Sequence, residues 1–419
     1  MRVCRLCGKD GYEELIDLGS QPVSHRFVEQ NEMADTFPMA LGQCKVCGVA
    51  QLSDPMPIEF MVPKFDWIKF NEPEDHLGEM VQFISSLPGI TTESRILGIS
   101  KHDKPLLRQL SKAGFTQLDQ LSATEDLGLP NENPSEVLIQ SKFDFKNTES
   151  IANKRGSYDI VLVRRVLEHA YNGLEFVESL KALLSSRGLL VFEVTDCKSS
   201  LENGDVSTLW EEHISYFTEV SLETALSINR LDTVKVQIFD YPDENALVLA
   251  AHESAKISVE PSQDFWKEEH NRIDAFVKNL TEMKGQLREF FENYVSQGGK
   301  TAILGAGHRS CTFVNVLEIG KHMEFFIDDD PNKHSLHIPG CGLPIRNSIS
   351  LVEEGITLCL LGINPLSEER FIQHQEEFKQ RGGKFLSIAP KSVNAIRPES
   401  IALQLECTRG KWNRSAKRL

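Results

Sequence analysis

Four cysteines form two closely spaced pairs, and each pair is followed directly by a glycine. They are Cys4, Cys7, Cys44 and Cys47. Two residues between thiolates allow a tight turn to direct both sulfurs at one ion, and the glycine permits the turn's backbone angles. Two such pairs predict a closed Cys4 site of the kind that holds a structural zinc. The alternatives are two unrelated buried thiol pairs or a redox CxxC, although a redox site requires only one pair.

A second group with chemical potential is the consecutive run Glu211, Glu212 and His213. It lies between two strand-like segments, where a loop at the C-terminal edge of a sheet is expected. An imidazole is the usual base near neutral pH, and an adjacent carboxylate could orient its ring. The alternative is a helix start with a solvated histidine. His169 follows another strand and has a similar alternative, a capped helix start.

A third group begins at Gly305 and Gly307, which follow the strand-like segment Thr301–Leu304 and precede a helical one. This arrangement presents backbone N–H groups to a phosphate. The third glycine of a dinucleotide fingerprint would fall at Ser310, so the pattern for NAD is incomplete. The side chains expected to assist are His308 and Arg309 as anion donors and Asp328 as a ribose acceptor.

Alternating elements must position these groups. Buried strands are predicted in the middle of the chain over Arg95–Ser100, Tyr158–Val163, Gly188–Val194, Val234–Phe239 and Ala246–Ala251, with helical spacing over Phe176–Leu184. A long amphipathic helix follows Pro261 and should end at Gly298-Gly299. Strands Thr301–Leu304, Phe325–Asp328, Leu358–Gly362 and Lys384–Ile388 then predict a second α/β unit. The fold class is therefore α/β.

The length of 419 residues suggests two or three domains. We expect a Cys4 module over 1–57, an α/β domain over 74–255, a connecting helix over 262–298 and a second α/β domain over 299–407. Acidic residues outnumber basic ones 61 to 45, and the net charge of −16 argues against a nucleic-acid partner. The basic run Cys407–Leu419 is interpreted as a solvated terminus. No stretch predicts a membrane span or a signal peptide, so a cytoplasmic location is expected.

The ordered set of motifs resembles the sugar C-methyltransferases, which methylate a ring carbon of a nucleotide-linked deoxy-ketosugar. The resemblance covers nearly the whole chain and is carried by three segments. The first is the Cys4 module with the stretch LGSQPVSHRF over 18–27, and the second is WEEHISYF over 210–217. The third is the C-terminal series of GAGHRS, DDDPNK and IPG over 305–310, 328–333 and 338–340.

This resemblance implies a class I methyltransferase-like Rossmann core, an N-terminal zinc module and a C-terminal Rossmann-like domain that binds the nucleotide-sugar. It implies S-adenosylmethionine as the cofactor, His213 as the general base and Glu212 as its assistant. His169 is then expected beside the cofactor. The residues expected to bind the substrate are Tyr216, Gly305, Gly307, His308, Arg309, Asp328 and Lys333.

The loop after the first strand departs from the class I pattern, which has an acidic residue followed by glycines. Aligned on Asp103, the acidic position falls on Gly98, the first glycine on Ser100 and the last on Lys104. The expected cofactor contacts are Ser100, Asp103, Asp119 and His169. Two interpretations remain open. Either a divergent C-methyltransferase holds its cofactor with a shifted loop, or the fold has lost this chemistry and serves another nucleotide-sugar reaction or a non-catalytic binding role.

Overall fold

The computed structural model describes residues 2–68, 74–241, 244–254, 263–397 and 401. The basic run Cys407–Leu419 lies outside the described residues, as do the expected boundaries at 255, 262 and 407. Within the described residues, no helix is both long and apolar enough to span a bilayer.

The N-terminal module is built on an antiparallel sheet. Its strands are β1 (Arg2–Val3), β2 (Asp10–Pro22), β3 (Thr36–Cys44) and β4 (Ala50–Leu52), and a 3-10 turn follows at Ile58–Phe60. The fifth strand of this sheet, Ser215–Tyr216, comes from the middle of the chain and pairs antiparallel with β4. The module therefore shares its sheet with the segment that carries the Glu-Glu-His run.

The middle domain is an open sheet with helices between its strands. Its parallel strands are β5 (Arg95–Gly98), β6 (Gln117–Gln120), β7 (Tyr158–Arg164) and β8 (Leu184–Asp196); Ser215–Tyr216 is β9, and the final hairpin is β10 (Leu231–Phe239) and β11 (Asn245–Glu253). The sheet order is β10-β11-β8-β7-β5-β6, and only the β10-β11-β8 edge is antiparallel. The alternating pattern predicted a parallel α/β sheet, and the observed architecture is the class I methyltransferase-like Rossmann core that the resemblance implied.

The helices of the middle domain are α1 (Leu77–Ser85), α2 (Asp103–Lys112), α3 (Glu136–Gln140), α4 (Phe145–Arg155), α5 (Gly173–Leu180), α6 (Lys198–Glu202) and α7 (Glu219–Ile228). Short 3-10 turns lie at Leu167–His169, Lys181–Leu183 and Val206–Thr208. The predicted helix over Phe176–Leu184 starts earlier than expected and ends at Leu180, because the chain then tightens into a 3-10 turn before β8. The predicted central strands are confirmed, and β8 is longer than predicted at both ends.

The long helix α8 spans Gln263–Ser296 and ends before Gly298, whose φ of 86° requires a left-handed backbone. The C-terminal domain then forms a parallel sheet of order β14-β13-β12-β15-β16. Its strands are β12 (Thr301–Leu304), β13 (Phe325–Ile327), β14 (Ile345–Arg346), β15 (Leu358–Leu361) and β16 (Lys384–Ser387). Its helices are α9 (His308–Val316), α10 (Ser350–Glu353), α11 (Pro365–His374) and α12 (Glu376–Gln380), with 3-10 turns at Gly320–His322 and Pro331–Lys333. The four predicted strands of this domain are confirmed, and a short β14 is added.

The largest apolar core joins the three parts of the chain. It contains Phe27 of the N-terminal module, Phe276 of α8 and Phe313 of α9, all nearly inaccessible to solvent. The N-terminal module also pairs with the C-terminal domain through its backbone. Val28 and His337 exchange two backbone hydrogen bonds of 3.1 and 2.8 Å. The N-terminal module is thus packed into the interior rather than attached at the surface.

Candidate active site

The four paired cysteines come together as a buried cluster whose sulfurs lie within 4.8 Å of one another. The Sγ atoms of Cys4 and Cys47 are 3.7 Å apart, as are those of Cys7 and Cys44. A tetrahedron of sulfurs at about 2.3 Å from a zinc ion has edges of about 3.8 Å, so the four thiols fit zinc. With all four positions filled by protein, such an ion would have a structural role.

The segment Trp210–Phe217 is held by the N-terminal module through its backbone. Strand β9 pairs with β4, and Leu52 N–H donates to the Ile214 carbonyl at 2.9 Å. The Tyr216 hydroxyl closes the loop, since it accepts from Trp210 N–H at 3.0 Å and donates to the Trp210 carbonyl at 3.1 Å. The Tyr216 hydroxyl was expected to contact the substrate. In the structure it bonds the Trp210 backbone and so stabilises the conformation of the loop.

The two acidic residues of this loop are buried and meet consecutive residues of the N-terminal module. One oxygen of Glu211 accepts from the backbone N–H and the hydroxyl of Ser24, at 2.6 and 2.7 Å. An oxygen of Glu212 lies 3.2 Å from His25 Nε2. Burial raises the pKa of Glu212, and the bond to His25 opposes that rise. Burial lowers the pKa of His25, but the carboxylates of Glu212 and Glu211 outweigh burial and raise it.

His213 lies at the centre of an aromatic group formed by two domains. Its ring centroid is 4.9 Å from that of His169 and 4.7 Å from that of Trp210. Trp210 in turn stacks on His308 of the C-terminal domain at 4.5 Å. The predicted base His213 and the predicted donor His308 are therefore both in the junction between the middle and C-terminal domains, and both are half-buried.

The electrostatics of this junction favour neutral imidazoles. Burial lowers the pKa of His213 well below its ordinary value, and the positive potential of His169, His308 and Arg165 lowers it further. Burial and Arg309 together lower the pKa of His308 to about 3. A neutral imidazole can accept a proton, whereas an imidazolium cannot, so His213 has the protonation state that a base requires.

The loop after β5 differs from a loop that holds S-adenosylmethionine in the class I manner. A Cβ atom at Gly98 would lie 2.7 Å from Asp103 Cβ and 2.8 Å from Gln120 Oε1, so the missing acidic side chain has no room. Asp103 is completely buried and accepts from Ser100 N–H at 2.8 Å, and burial raises its pKa to about 7. Ser100 and Asp103 thus bond to each other.

Two further side chains extend over the carboxyl ends of β5 and β6. The Gln120 amide donates to the Gly98 and Ser100 carbonyls, both at 3.0 Å. The Arg164 guanidinium, 1% exposed, donates to the His102 carbonyl. The protein's own groups therefore take up the contacts that a cofactor would make with this loop, and the residues present do not fit the class I mode of binding.

Asp119 has a different environment from the one expected. Its carboxylate accepts from the Tyr158 hydroxyl at 2.8 Å and lies 3.6 Å from the Arg95 guanidinium. Tyr158 and Arg95 are the first residues of β7 and β5. The structure thus places Asp119 with residues from the amino ends of the strands, whereas His169 lies with His213.

A buried ionic group at the carboxyl ends of β7 and β8 was missed by the sequence analysis. Glu193 is bonded by Arg164 and by Arg165 at 3.1 Å, and His76 Nε2 lies 3.3 Å from one of its oxygens; all four side chains are nearly inaccessible to solvent. Burial raises the pKa of Glu193, but its cationic partners outweigh this and hold the pKa well below its usual range. The only available signal was the charged pair Arg164-Arg165 at the end of an apolar strand.

In the C-terminal domain the predicted nucleotide residues are close together. Lys333 Nζ is 2.7 Å from an Asp328 oxygen and donates to the Ala306 carbonyl at 3.0 Å. The same Asp328 oxygen accepts from Ala306 N–H, at 3.2 Å. Gly305 has a φ of 96°, and a Cβ there would meet the Gly362 carbonyl at 2.9 Å, so a glycine is required for this turn.

Two more predicted residues flank this turn and face different surroundings. Gly307 is exposed, has open space around it and precedes α9. Arg309 instead bonds the middle domain, donating to the Ser207 hydroxyl at 3.1 and 3.2 Å and lying 3.5 Å from Asp205. The structure thus brings Gly305, Gly307, Asp328 and Lys333 together and uses Arg309 to connect the two domains.

Comparison with known protein families covers most of the chain. A zinc binding domain matches residues 4–61, a methyltransferase domain matches 102–235, and a C-methyltransferase C-terminal domain matches 252–390. In this order the three matches follow the domain arrangement of a C-methyltransferase. It is 23% identical over 405 residues to the C-methyltransferase NovU of Streptomyces niveus, a match that covers 93% of this chain and 95% of the relative. The match to a methyltransferase domain and the similarity to NovU support an enzyme of the S-adenosylmethionine-dependent methyltransferase class.

Solved methyltransferase structures similar to this chain match only part of it. The CcbJ methyltransferase from Streptomyces caelestis is 11% identical and covers 45% of this chain and 94% of its own, with a TM-score of 0.29. The magnesium protoporphyrin IX methyltransferase ChlM from Synechocystis PCC 6803 is 12% identical and covers 44% and 90%, with a TM-score of 0.28.

Proposed function

We propose that this protein methylates a ring carbon of a nucleotide-linked deoxy-ketosugar and that His213 removes the proton from that carbon. The observation that supports the proposal is the position of His213, half-buried between the middle domain and the nucleotide-type turn of the C-terminal domain. The ring of Trp210 connects it to His308, directly after Gly307. A sugar whose nucleotide lies at Gly307 would enter this junction.

The proton-removal step can be written from the chain's own residues. The C–H bond beside the sugar carbonyl breaks, its electron pair forms the enolate, and the proton moves to the His213 imidazole. The lowered pKa of His213 keeps the ring neutral and able to accept that proton, and it also makes the imidazole a weaker base than a solvent-exposed histidine. Glu212 also holds His169, which packs against His213, because the Glu212 backbone carbonyl accepts a hydrogen bond from His169 Nδ1 at 2.9 Å. In the family, S-adenosylmethionine would supply the methyl group.

The proton step has a direct test that needs no methyl donor. A thymidine-linked deoxy-ketosugar incubated with the protein in D2O should gain deuterium at the carbon beside the carbonyl, measured by NMR. His213→Ala and His213→Gln should abolish this exchange while nucleotide-sugar binding changes little. His374→Gln is the matched control, since His374 is exposed on α11 and bonds only the Arg370 carbonyl among the contacts described. Full exchange by either His213 variant would exclude it as the base.

A second candidate is supported by the filled β5 loop. On this alternative the fold has lost methyl transfer and serves another nucleotide-sugar reaction or a binding role. Calorimetric titration with S-adenosylmethionine and its demethylated product decides between the two. Micromolar binding supports methyl transfer, whereas no binding at millimolar ligand, with the nucleotide-sugar still bound, supports the second candidate. Zinc in the Cys4 cluster and a cytoplasmic location remain parts of the proposal under either outcome.

A further inference from the structure

The segment Val23–Val28 of the N-terminal module lies between the two other domains. Its middle residues Ser24 and His25 meet Glu211 and Glu212 of the middle domain. At its end, Val28 pairs with His337 of the C-terminal domain. A module whose cysteines predict only a structural role therefore reaches the proposed active site with polar side chains.

The contact between His25 and Glu212 is isolated from bulk solvent. The two side chains are 4% and 1% exposed, and their nearest atoms, Nε2 and Oε1, are 3.2 Å apart. A buried ionisable pair restricts the position of both side chains. If one partner is removed or moves away, the other is left buried without its contact, which costs free energy. His25 therefore restricts where the Glu212 side chain, and with it the Glu212 backbone, can lie.

The Glu212 backbone transmits this restriction to His169. The Glu212 carbonyl is 2.9 Å from His169 Nδ1, and a carbonyl oxygen can only accept, so Nδ1 carries the proton. In the neutral ring Nε2 is then the acceptor. His169 is packed edge-on against His213, and His213 directly follows Glu212 in the chain. The position of both imidazoles thus depends on the peptide unit that His25 helps to fix.

We propose that His25 is a positioning residue of the active site, holding Glu212 so that its carbonyl fixes the Nδ1-protonated form of His169 and the place of His213. This inference rests on the proposed function for its kinetic consequence but not for its structural one. The N-terminal module then contributes to catalysis by holding His25 in place. Its four cysteines support the sheet from which Ser24 and His25 extend; they are Cys4, Cys7, Cys44 and Cys47.

The test compares His25→Ala with His25→Gln, whose amide can still donate to Glu212. In the deuterium exchange assay His25→Ala should lower kcat about tenfold to hundredfold, with KM changed less than about threefold. His25→Gln should recover most of the loss. The matched control is Tyr12→Phe, which removes a buried hydroxyl that bonds the Gln51 carbonyl and Ser53 in the same module. It should leave kcat unchanged. A similar kcat loss in Tyr12→Phe would reduce His25 to a structural role and overturn the proposal.

A double-mutant cycle with Glu212→Gln tests the contact itself. If His25 acts through Glu212, the double variant His25→Ala/Glu212→Gln should be no worse than the poorer single variant. If the loss of kcat in the double variant equals the product of the losses in the two single variants, His25 does not act through Glu212 and the proposal is overturned.

A spectroscopic readout separates this proposal from the proposed function. NMR of the 15N-histidine-labelled protein should show a protonated Nδ1 for His169 in the wild type and in Tyr12→Phe, and a changed signal in His25→Ala. If the wild type shows no deuterium exchange, the proposed function fails while this signal still tests His25. An unchanged His169 signal in a folded His25→Ala protein would refute the positioning role.

Discussion

Gly98 ends β5 where the class I pattern has an acidic residue, so restoring that residue tests how the loop is built. The nearest atoms to a new Cβ would be Asp103 Cβ at 2.7 Å and Gln120 Oε1 at 2.8 Å. Asp103 Cβ is fixed to the backbone, and the Gln120 amide is held by its bonds to the Gly98 and Ser100 carbonyls. Gly98→Ala should therefore lower the free energy of unfolding by about 1–3 kcal/mol through overpacking.

Gly98→Asp should cost considerably more than Gly98→Ala. The new carboxylate would lie beside Asp103, which is completely buried and whose pKa burial already raises to about 7. Burying a second acidic group there should add about 2–4 kcal/mol. The total of roughly 3–7 kcal/mol is comparable with the whole stability of many domains. Since the new group's pKa is raised in the folded state, its added cost should grow as the pH rises from about 4 to above 7.

Urea denaturation of both variants at about pH 5 and about pH 8 measures these differences. The excess cost of Gly98→Asp over Gly98→Ala should increase at the higher pH. Calorimetry with S-adenosylmethionine should show no gain in affinity for Gly98→Asp. If this variant is as stable as the wild type and binds the cofactor about tenfold more tightly, the loop has room for the class I contact and our reasoning is wrong.

Two further stability predictions concern other buried groups. Asp103→Asn should raise the free energy of unfolding by about 4 kcal/mol above about pH 7 and by little near pH 4, because the wild-type carboxyl, with its pKa raised to about 7, loses stability as it ionises between those values. Equal urea midpoints at about pH 8 would contradict this. Purified wild type should contain about one zinc per chain by elemental analysis, and Cys44→Ser should lose the metal and melt at a lower temperature. A metal-free wild type of normal stability would contradict the Cys4 assignment.

The sequence predicted the elements that depend on local pattern. Strands such as Tyr158–Arg164 and Thr301–Leu304 are short apolar runs bounded by turn residues, and α8 has helical spacing that ends before Gly298. The two CxxCG motifs were equally readable, because ligand spacing within each pair is set by a single turn. Such features need no information from distant parts of the chain.

The composition of the active site was only partly readable. His213 and Glu212 were identified because they are adjacent and resemble a family segment, and the structure places them beside His169. His25 lies in the stretch over 18–27 that resembles the family, but no role could be assigned to it, since it is far from Glu212 in the chain and its neighbours carry no metal or catalytic spacing. Tyr216 was expected at the substrate, but whether a hydroxyl faces a ligand or the Trp210 backbone depends on how the loop closes.

The amino-acid sequence by itself determined the α/β class, the order of the parts and the Cys4 cluster, all of which follow from periodicity and spacing. Only the tertiary structure decided that β9 completes the N-terminal sheet, that Ser24 and His25 meet two buried carboxylates, and that Arg164 and Gln120 extend over the β5 loop. The physical reason is that a buried charge selects its partner by distance after packing, and packing brings together residues that no local pattern relates.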